Sequence, residues 1–295
     1  MFGIKPHSLD ALDLLPSDTV IAGFSDIDAI GIWNWISSEL EKCGIPEVQH
    51  GLVKLIKSAN NNGIDINKIL SSIHDEIGIV VTMSKDRKTS VPLGLNNSVE
   101  IPEPAFMIAI KVKDNTIFDL IQSKTVIPGS KQLSLALRVD SEEEKSLIFK
   151  MGIPFLLGPV TIVQTNDCLF IGSNVKIISD ALAVRSGKAK GLKNTTEFQS
   201  LTADIPLTGN GFKFINPRVS NIISEINKHE AIVQKMMSIN NYGMGIFSVS
   251  SILKNGIIFK SKSTYNVSSV FFAQAVFARR YYGCNDASFN IQSKN

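Results

Sequence analysis

The residues whose types could do chemistry are few, and their spacing decides what each could do. Asp26-Ile27-Asp28-Ala29-Ile30-Gly31 fills the first, third and sixth positions of a calcium-binding loop. The fifth position is Ile30 and the twelfth is Ser37, so the bidentate carboxylate that completes such a loop is missing. Both aspartates stand just ahead of a helical pattern, where a carboxylate accepts from the first amides, and capping explains them better than a metal does. They stay candidate binding residues beside Trp35; no metal or cofactor is expected.

His7, His50, His74 and His229 are scattered, and none falls in an HExxH pattern. His74-Asp75-Glu76 has the makings of a general base, with a surface turn as the plainer reading. A hydrolase using Asp18, Asp26, Asp28 or His74 requires those side chains to converge in one cleft. No GxSxG, phosphate-binding loop or dinucleotide fingerprint occurs, and Gly209-Asn210-Gly211 leads into a strand rather than a helix N-terminus. Cys43, Cys168 and Cys284 lie more than a hundred residues apart, an odd count without metal spacing or a disulfide framework.

Two surfaces attract a partner reading. Trp35 follows Trp33 by two positions, about 200° around a helix, so the two indoles face apart. An exposed Trp35 suits a partner or a stacking ligand; the alternative is a helix buried on both sides. The run Asn266–Ala278 is uncharged, contains Phe271 and Phe272, and is followed by Arg279-Arg280. It is too short to span a bilayer but could contact a membrane interface or a partner, unless it is a last helix covering the sheet. The Gly187–Lys193 loop carries three lysines, an arrangement usually just solvated.

The positioning elements follow from local pattern. Pro16 turns the chain into a strand over 19–24, and Ser25, Asp26 and Asp28 offer caps for a helix to about Lys42 with Ala29, Trp33, Ile36 and Leu40 on one face. Helices follow over 51–59 and after Asp65, then a strand over 76–83. Proline-bearing 84–104 reads as a long loop or ragged hairpin before a strand at 105–113 and a helix capped by Asn115. Residues 133–139 alternate as a strand, and 140–146 read as a charged turn or helix start. Asn166-Asp167 joins two strands in a tight hairpin, Asn174 opens a helix, and another short helix begins at Thr196. A strand at 211–215, an Asn216-Pro217 helix start and strands at 245–252 and 257–263 complete the order.

Leu15-Pro16, strand and capped helix at the start are matched by Ile205-Pro206, strand and capped helix later. The expectation is therefore an α+β fold: mainly antiparallel sheet covered by helices on one face, built from two related units, the second truncated. The boundaries are an N-terminal arm 1–13, a first unit 14–203, a shorter second unit 204–282 sharing the sheet, and a tail 283–295.

Composition bounds the function classes. With 44% hydrophobic and 19% charged residues a sizeable core is expected, and a net charge of +3 spread along the chain gives no basic stripe for nucleic acid. The N-terminal residues do not form a signal peptide, and no apolar run approaches ~20 residues.

Three stretches together resemble a known family: Leu15-Pro-Ser-Asp-Thr-Val20, Asn166-Asp-Cys-Leu-Phe-Ile-Gly-Ser-Asn174 before a helix, and Glu197-Phe198 leading to Ile205-Pro206. They are similar to a widespread bacterial family of extracytoplasmic proteins, a domain of unknown function whose members open on "LPADT" and carry "YLVIGSS" before a helix. The resemblance covers roughly residues 14–265. It implies an α+β fold and a periplasmic or otherwise extracytoplasmic location, and offers no catalytic residues. A non-enzymatic binding or scaffold protein of the bacterial envelope is the leading expectation. A carrier or sensor of an apolar small ligand is the first alternative, and the hydrolase the second. The expected partner is a protein or an apolar ligand.

Overall fold

The computed structural model describes residues 5–92, 98–125, 135–141, 144–149, 160–219, 245–253 and 256–264. Its centre is an antiparallel sheet of ten strands among the described residues, in an α+β arrangement. The strands are β2 (Thr19–Asp26), β3 (Ile73–Pro92), β4 (Ser98–Val112), β5 (Leu135–Ser141), β6 (Glu144–Phe149), β7 (Val160–Gln164), β8 (Cys168–Gly172), β10 (Gly211–Ile215), β11 (Ile246–Leu253) and β12 (Gly256–Ser263). Their order is β12-β11-β10-β2-β3-β4-β8-β7-β6-β5. A two-stranded ladder of β1 (His7–Ser8) and β9 (Thr208–Gly209) lies apart from it.

Alternation along β2 defines the two faces. Val20, Ala22, Phe24 and Asp26 are buried, while Ile21 and Gly23 are half-buried and Ser25 is exposed. On the inner face Phe24 stacks on Phe212 of the neighbouring strand, centroids 5.4 Å apart. Leu9, Ala11, Leu12, Leu14 and Leu15 of the N-terminal arm close over this face. So do Ile177, Ile178 and Ala181 of α5 (Val175–Arg185) and Phe198 and Leu201 of α6 (Thr196–Thr202). Phe198 meets Phe247 edge-on at 5.3 Å. Each such fully buried side chain stabilises the fold by about 1.5–3 kcal/mol.

Helices lie on both faces, where one was expected. The apolar side of α4 (Thr116–Thr125) buries Phe118 on the outer face against Val112, Ile162 and Leu169. Beside it stand α3 (Ile66–Ser72) and then α1 (Ala29–Lys42) and α2 (Pro46–Asn61). The connectivity places them together: β2 and β4 both end at the edge of the sheet where β3 begins, so the helices that follow β2 and β4 share that end.

The structure departs from local pattern in two more places. At 84–104 it takes the ragged-hairpin alternative among the described residues, with β3 and β4 pairing out to Pro92 and Ser98 beyond an irregularity between Met83 and Lys88. Pro102 and Pro104 are tolerated because β8 pairs β4 only over Met107–Lys111, so a missing amide there breaks no second ladder. Of the charged 140–146 stretch, residues 140–141 and 144–146 belong to paired strands β5 and β6 rather than a helix start. Helix α1 has no buried residue, so Trp33 is half-buried rather than core.

β2 and β10 lie side by side at the centre of the sheet. β2 and β10 pair antiparallel with Gly23 opposite Lys213, and the Asp26 amide donates to Asn210 O (2.7 Å) as the Asn216 amide donates to Val20 O (2.8 Å). From this pair β3 and β4 extend the sheet one way, and β11 and β12 the other. Beyond β4 the sheet continues through β8, β7, β6 and β5.

Candidate functional site

The most heavily charged buried spot forms where the inner-face alternation carries a carboxylate into the covered layer. Asp26 ends β2 in line with Val20, Ala22 and Phe24, and faces Glu76 across the β2–β3 ladder. Both are buried, at 6% and 4% exposure. Like charges directly opposite on neighbouring strands are destabilising, so each needs its own cation. Glu76 Oε2 pairs with Lys111 Nζ of β4 at 2.8 Å. Asp26 accepts from His7 Nε2 at 3.0 Å and, at Oδ2, from the Asn210 side-chain amide at 2.8 Å. Asn210 in turn accepts from the Ile252 amide at its Oδ1, 2.8 Å. The arm is thus pinned to the sheet by a polar chain running His7–Asp26–Asn210–Ile252.

The electrostatics follow the contacts. Partial burial pulls the His7 pKa down, but the Asp26 bond, the Ser8 carbonyl and the fields of Asp26 and Glu76 outweigh it and leave it raised. Burial likewise lowers Lys111, and the Glu76 bond and charge raise it overall. Cys168, opposite Lys111 on β8, has its thiol pushed up to about 11, chiefly by burial and then by Asp167. A thiol held protonated at neutral pH is a poor nucleophile.

This cluster lacks the geometry of a general base with a nucleophile. Both ring nitrogens of His7 are engaged, Nδ1 with Ser8 O at 2.7 Å and Nε2 with Asp26. With Nδ1–H donating to a carbonyl and Nε2–H to a carboxylate, the ring acts as an imidazolium. Its role is a cationic pin.

A second polar group lies at the other end of the sheet. Asp18, Thr82, Ser84, Arg87, Glu103 and Lys176 help line a shallow, solvent-open cleft with room for about one water. Burial raises the Asp18 pKa, and Asp180 adds to this against the opposing Lys176 and Arg218. Arg87 pairs with Glu103 at 3.1 Å and Arg218 donates to Met83 O at 3.0 Å. These charged walls are the wrong chemistry for an apolar ligand, whose entry would strip ions of water.

Each residue singled out from the sequence now has a place. Asp28 caps α1, its Oδ1 accepting from the Gly31 amide at 2.8 Å, while Asp26 is no cap and belongs to the buried cluster. The two carboxylates are therefore committed to different partners. Asp18 and Asp26 flank the two ends of β2, eight residues or about 26 Å apart at the usual strand rise, so the hydrolase set does not converge. His74 and Asp75 pair at 3.5 Å with both side chains exposed. Among the described residues no group of three or more His, Cys, Asp or Glu could hold a metal. Lys193 of the basic loop pairs with Asp13. Phe271, Phe272, Arg279 and Arg280 lie outside the described residues.

Trp35 is 52% exposed, and the two-sided burial weighed for its helix is absent. Ile36 beside it, Ile45 in the turn, and Val53 and Leu55 of α2 are exposed too. Neither α1 nor α2 has a buried residue. His7, Glu76, Lys111 and Asn210 are the site residues that sequence reasoning missed. The available signal was the period-2 line from Val20 to Asp26, which marks Asp26 as inward-facing.

The fold and site define an α+β protein with an open antiparallel sheet, a saturated buried charge cluster and an apolar helical hairpin at its surface. No protein-family model, curated protein or solved structure matches the chain. No helix among the described residues is long and apolar enough to cross a membrane.

Proposed function

We propose that this protein is a non-enzymatic binding or scaffold protein of the bacterial envelope that holds a protein partner on the α1–α2 hairpin. One observation carries the reading: Trp35, Ile36, Ile45, Val53 and Leu55 are exposed on adjoining helices that bury no residue of their own. Val53 and Leu55, two positions apart, face different ways around α2, and an exposed tryptophan such as Trp35 is a frequent anchor in interaction sites. Around them Glu39, Glu41 and Glu47 balance Lys42, Lys54 and Lys57. Recognition by this surface is apolar and responds little to salt, as it would not for a nucleic acid or an anionic lipid. The envelope location rests on the Leu15-Pro-Ser-Asp-Thr resemblance. The duplication belongs with this proposal, supported by the shared register of β2 and β10.

The test places a photo-cross-linking residue at position 35, 53 or, as a control, 188 of the chain in bacterial cells. The expected result is one discrete adduct from 35 and 53, lost on Leu55→Glu. Equal cross-linking from all three positions, or adducts that survive Leu55→Glu, overturns the proposal.

A further inference from the structure

Among the described residues β12 has a neighbour on one side only, β11, and it is most apolar where it is open. Ile257 is 49% exposed, Ile258 45% and Phe259 70%, so this short run is apolar on both faces of the sheet. The ladder fixes which backbone groups are open. The Thr264 amide donates to Gly245 O at 2.9 Å, one step beyond the Ile246–Ser263 pair, so 245 and 264 form a hydrogen-bonded pair. Alternation along an antiparallel ladder then turns the N–H and C=O of Gly256, Ile258 and Lys260 toward β11. Those of Ile257, Phe259 and Ser261 point the other way, to the open edge.

We propose that this edge joins a second copy of the chain, β12 against β12 in antiparallel pairing about a two-fold axis at Ile258. The strand is self-complementary about that point. Ile257 hydrogen-bonds with Phe259 of the second copy through their open-edge groups, and Ile258 faces its own counterpart in the closer, non-hydrogen-bonded pair. On one face each Phe259 then packs on an Ile257, and on the other the two Ile258 side chains meet. The lysines select this register. An axis at Lys260 would set two lysines against each other, and one at Phe259 would set Ile258 against Lys260. The Ile258 axis instead sets Lys260 opposite Gly256 of the second copy. Gly256 has no side chain, so the Lys260 stem lies across it toward Leu253, its 48% exposed neighbour on β11. Lys262 is already held by Asp204 at 2.8 Å. The surface covered is roughly 500 Å2 per copy, about 1,000 Å2 for the pair, at the low end of specific interfaces. The dimer is therefore reversible and concentration-dependent. This inference is independent of the hairpin reading, since its residues lie on the sheet edge and not on α1 or α2.

The test is sedimentation equilibrium of the full chain under reducing conditions, for wild type, Ile258→Lys and Ile258→Glu. The expected result is a wild-type dimer that each variant alone weakens at least about tenfold, because like charges then meet at the axis. An equimolar mixture of the two variants should restore association to within about threefold of wild type, because opposite charges then meet. Position 258 is exposed, so both variants keep the fold, read as continued protection of the Cys168 thiol. If either unfolds, Ile258→Cys in a Cys43→Ser, Cys284→Ser chain gives the reading: mild oxidation links it into a dimer, and Lys260→Cys is not linked. A wild type that stays monomeric up to about 1 mM overturns the proposal. So does a dimer that neither Ile258 variant weakens, one that Ile258→Glu strengthens, or one that Trp35→Ala abolishes.

Discussion

Replacing Asp26 by asparagine should invert the sign of the pH dependence that His7 gives to stability. In the wild type the His7 pKa is raised in the folded state by Asp26, the Ser8 carbonyl and the nearby Glu76 charge, which together outweigh its partial burial. A raised folded pKa means the folded chain holds more proton than the unfolded one. The contribution is present in full below the unfolded value near 6.5 and is lost as pH rises through the folded pKa. In the Asp26→Asn variant the new side-chain oxygen still accepts from Asn210, but the new amide NH2 turns toward His7 Nε2. That nitrogen must now accept, with Nδ1–H kept on Ser8 O, so neutral His7 is the favoured form and stability falls as pH drops. Either slope is bounded by about 1.4 kcal/mol per pH unit for one whole proton. His7 is partly exposed, so the observed slopes will be fractions of that. Asp26→Ala is the harsher change, because Asn210 Nδ2 is left buried without its acceptor at a cost of roughly 1–3 kcal/mol. Urea unfolding of wild type, Asp26→Asn and Asp26→Ala between pH 6 and 8 measures this, with the other histidines common to all three. Equal slopes in wild type and Asp26→Asn would refute the imidazolium pin.

Other consequences follow from packing and exposure. A methyl at Gly78 would sit 2.2–2.4 Å from the Phe24 ring, which cannot retreat because Phe212 stacks on its other side. Gly78→Ala should therefore destabilise by about 1–3 kcal/mol, and by less in a Phe24→Leu background, as a double-mutant cycle in urea would show. A native-state alkylation time course in a Cys284→Ser chain should label exposed Cys43 and spare Cys168; rapid loss of the Cys168 thiol would contradict its burial. Val53→Glu on the exposed side of α2 should leave the thermal midpoint nearly unchanged, a shift equivalent to no more than about 0.5 kcal/mol; a large drop would mean that Val53 is packed.

The elements were legible wherever a local rule decided them. Asp65 caps α3 through the Lys68 amide, Asn174 caps α5 through the Ile177 amide, and Thr165 and Cys168 close the hairpin at Asn166-Asp167. What stayed hidden depended on which strands lie side by side. Glu76 and Lys111 are ordinary strand-end residues until β2, β3 and β4 are adjacent, and His7 is an isolated histidine until the arm folds back over Asp26. At 84–104 the prolines leave a loop and a ragged hairpin both open, and the short pairing of β8 with β4 is what admits the hairpin. The angle between Trp33 and Trp35 around α1 leaves an exposed Trp35 and a helix buried on both sides both open, and only the packing decides for exposure.

The most direct test of the central claim separates the apolar hairpin from the polar cluster as the working surface. Once the photo-cross-linked partner is identified, its affinity can be measured for wild type, Trp35→Ala with Val53→Glu, and Asp26→Asn, with unfolding midpoints taken on the same samples. The account predicts that the hairpin variant loses binding with its stability retained, while Asp26→Asn binds as the wild type does. Binding that survives the hairpin changes, or that Asp26→Asn abolishes in a folded chain, would contradict it.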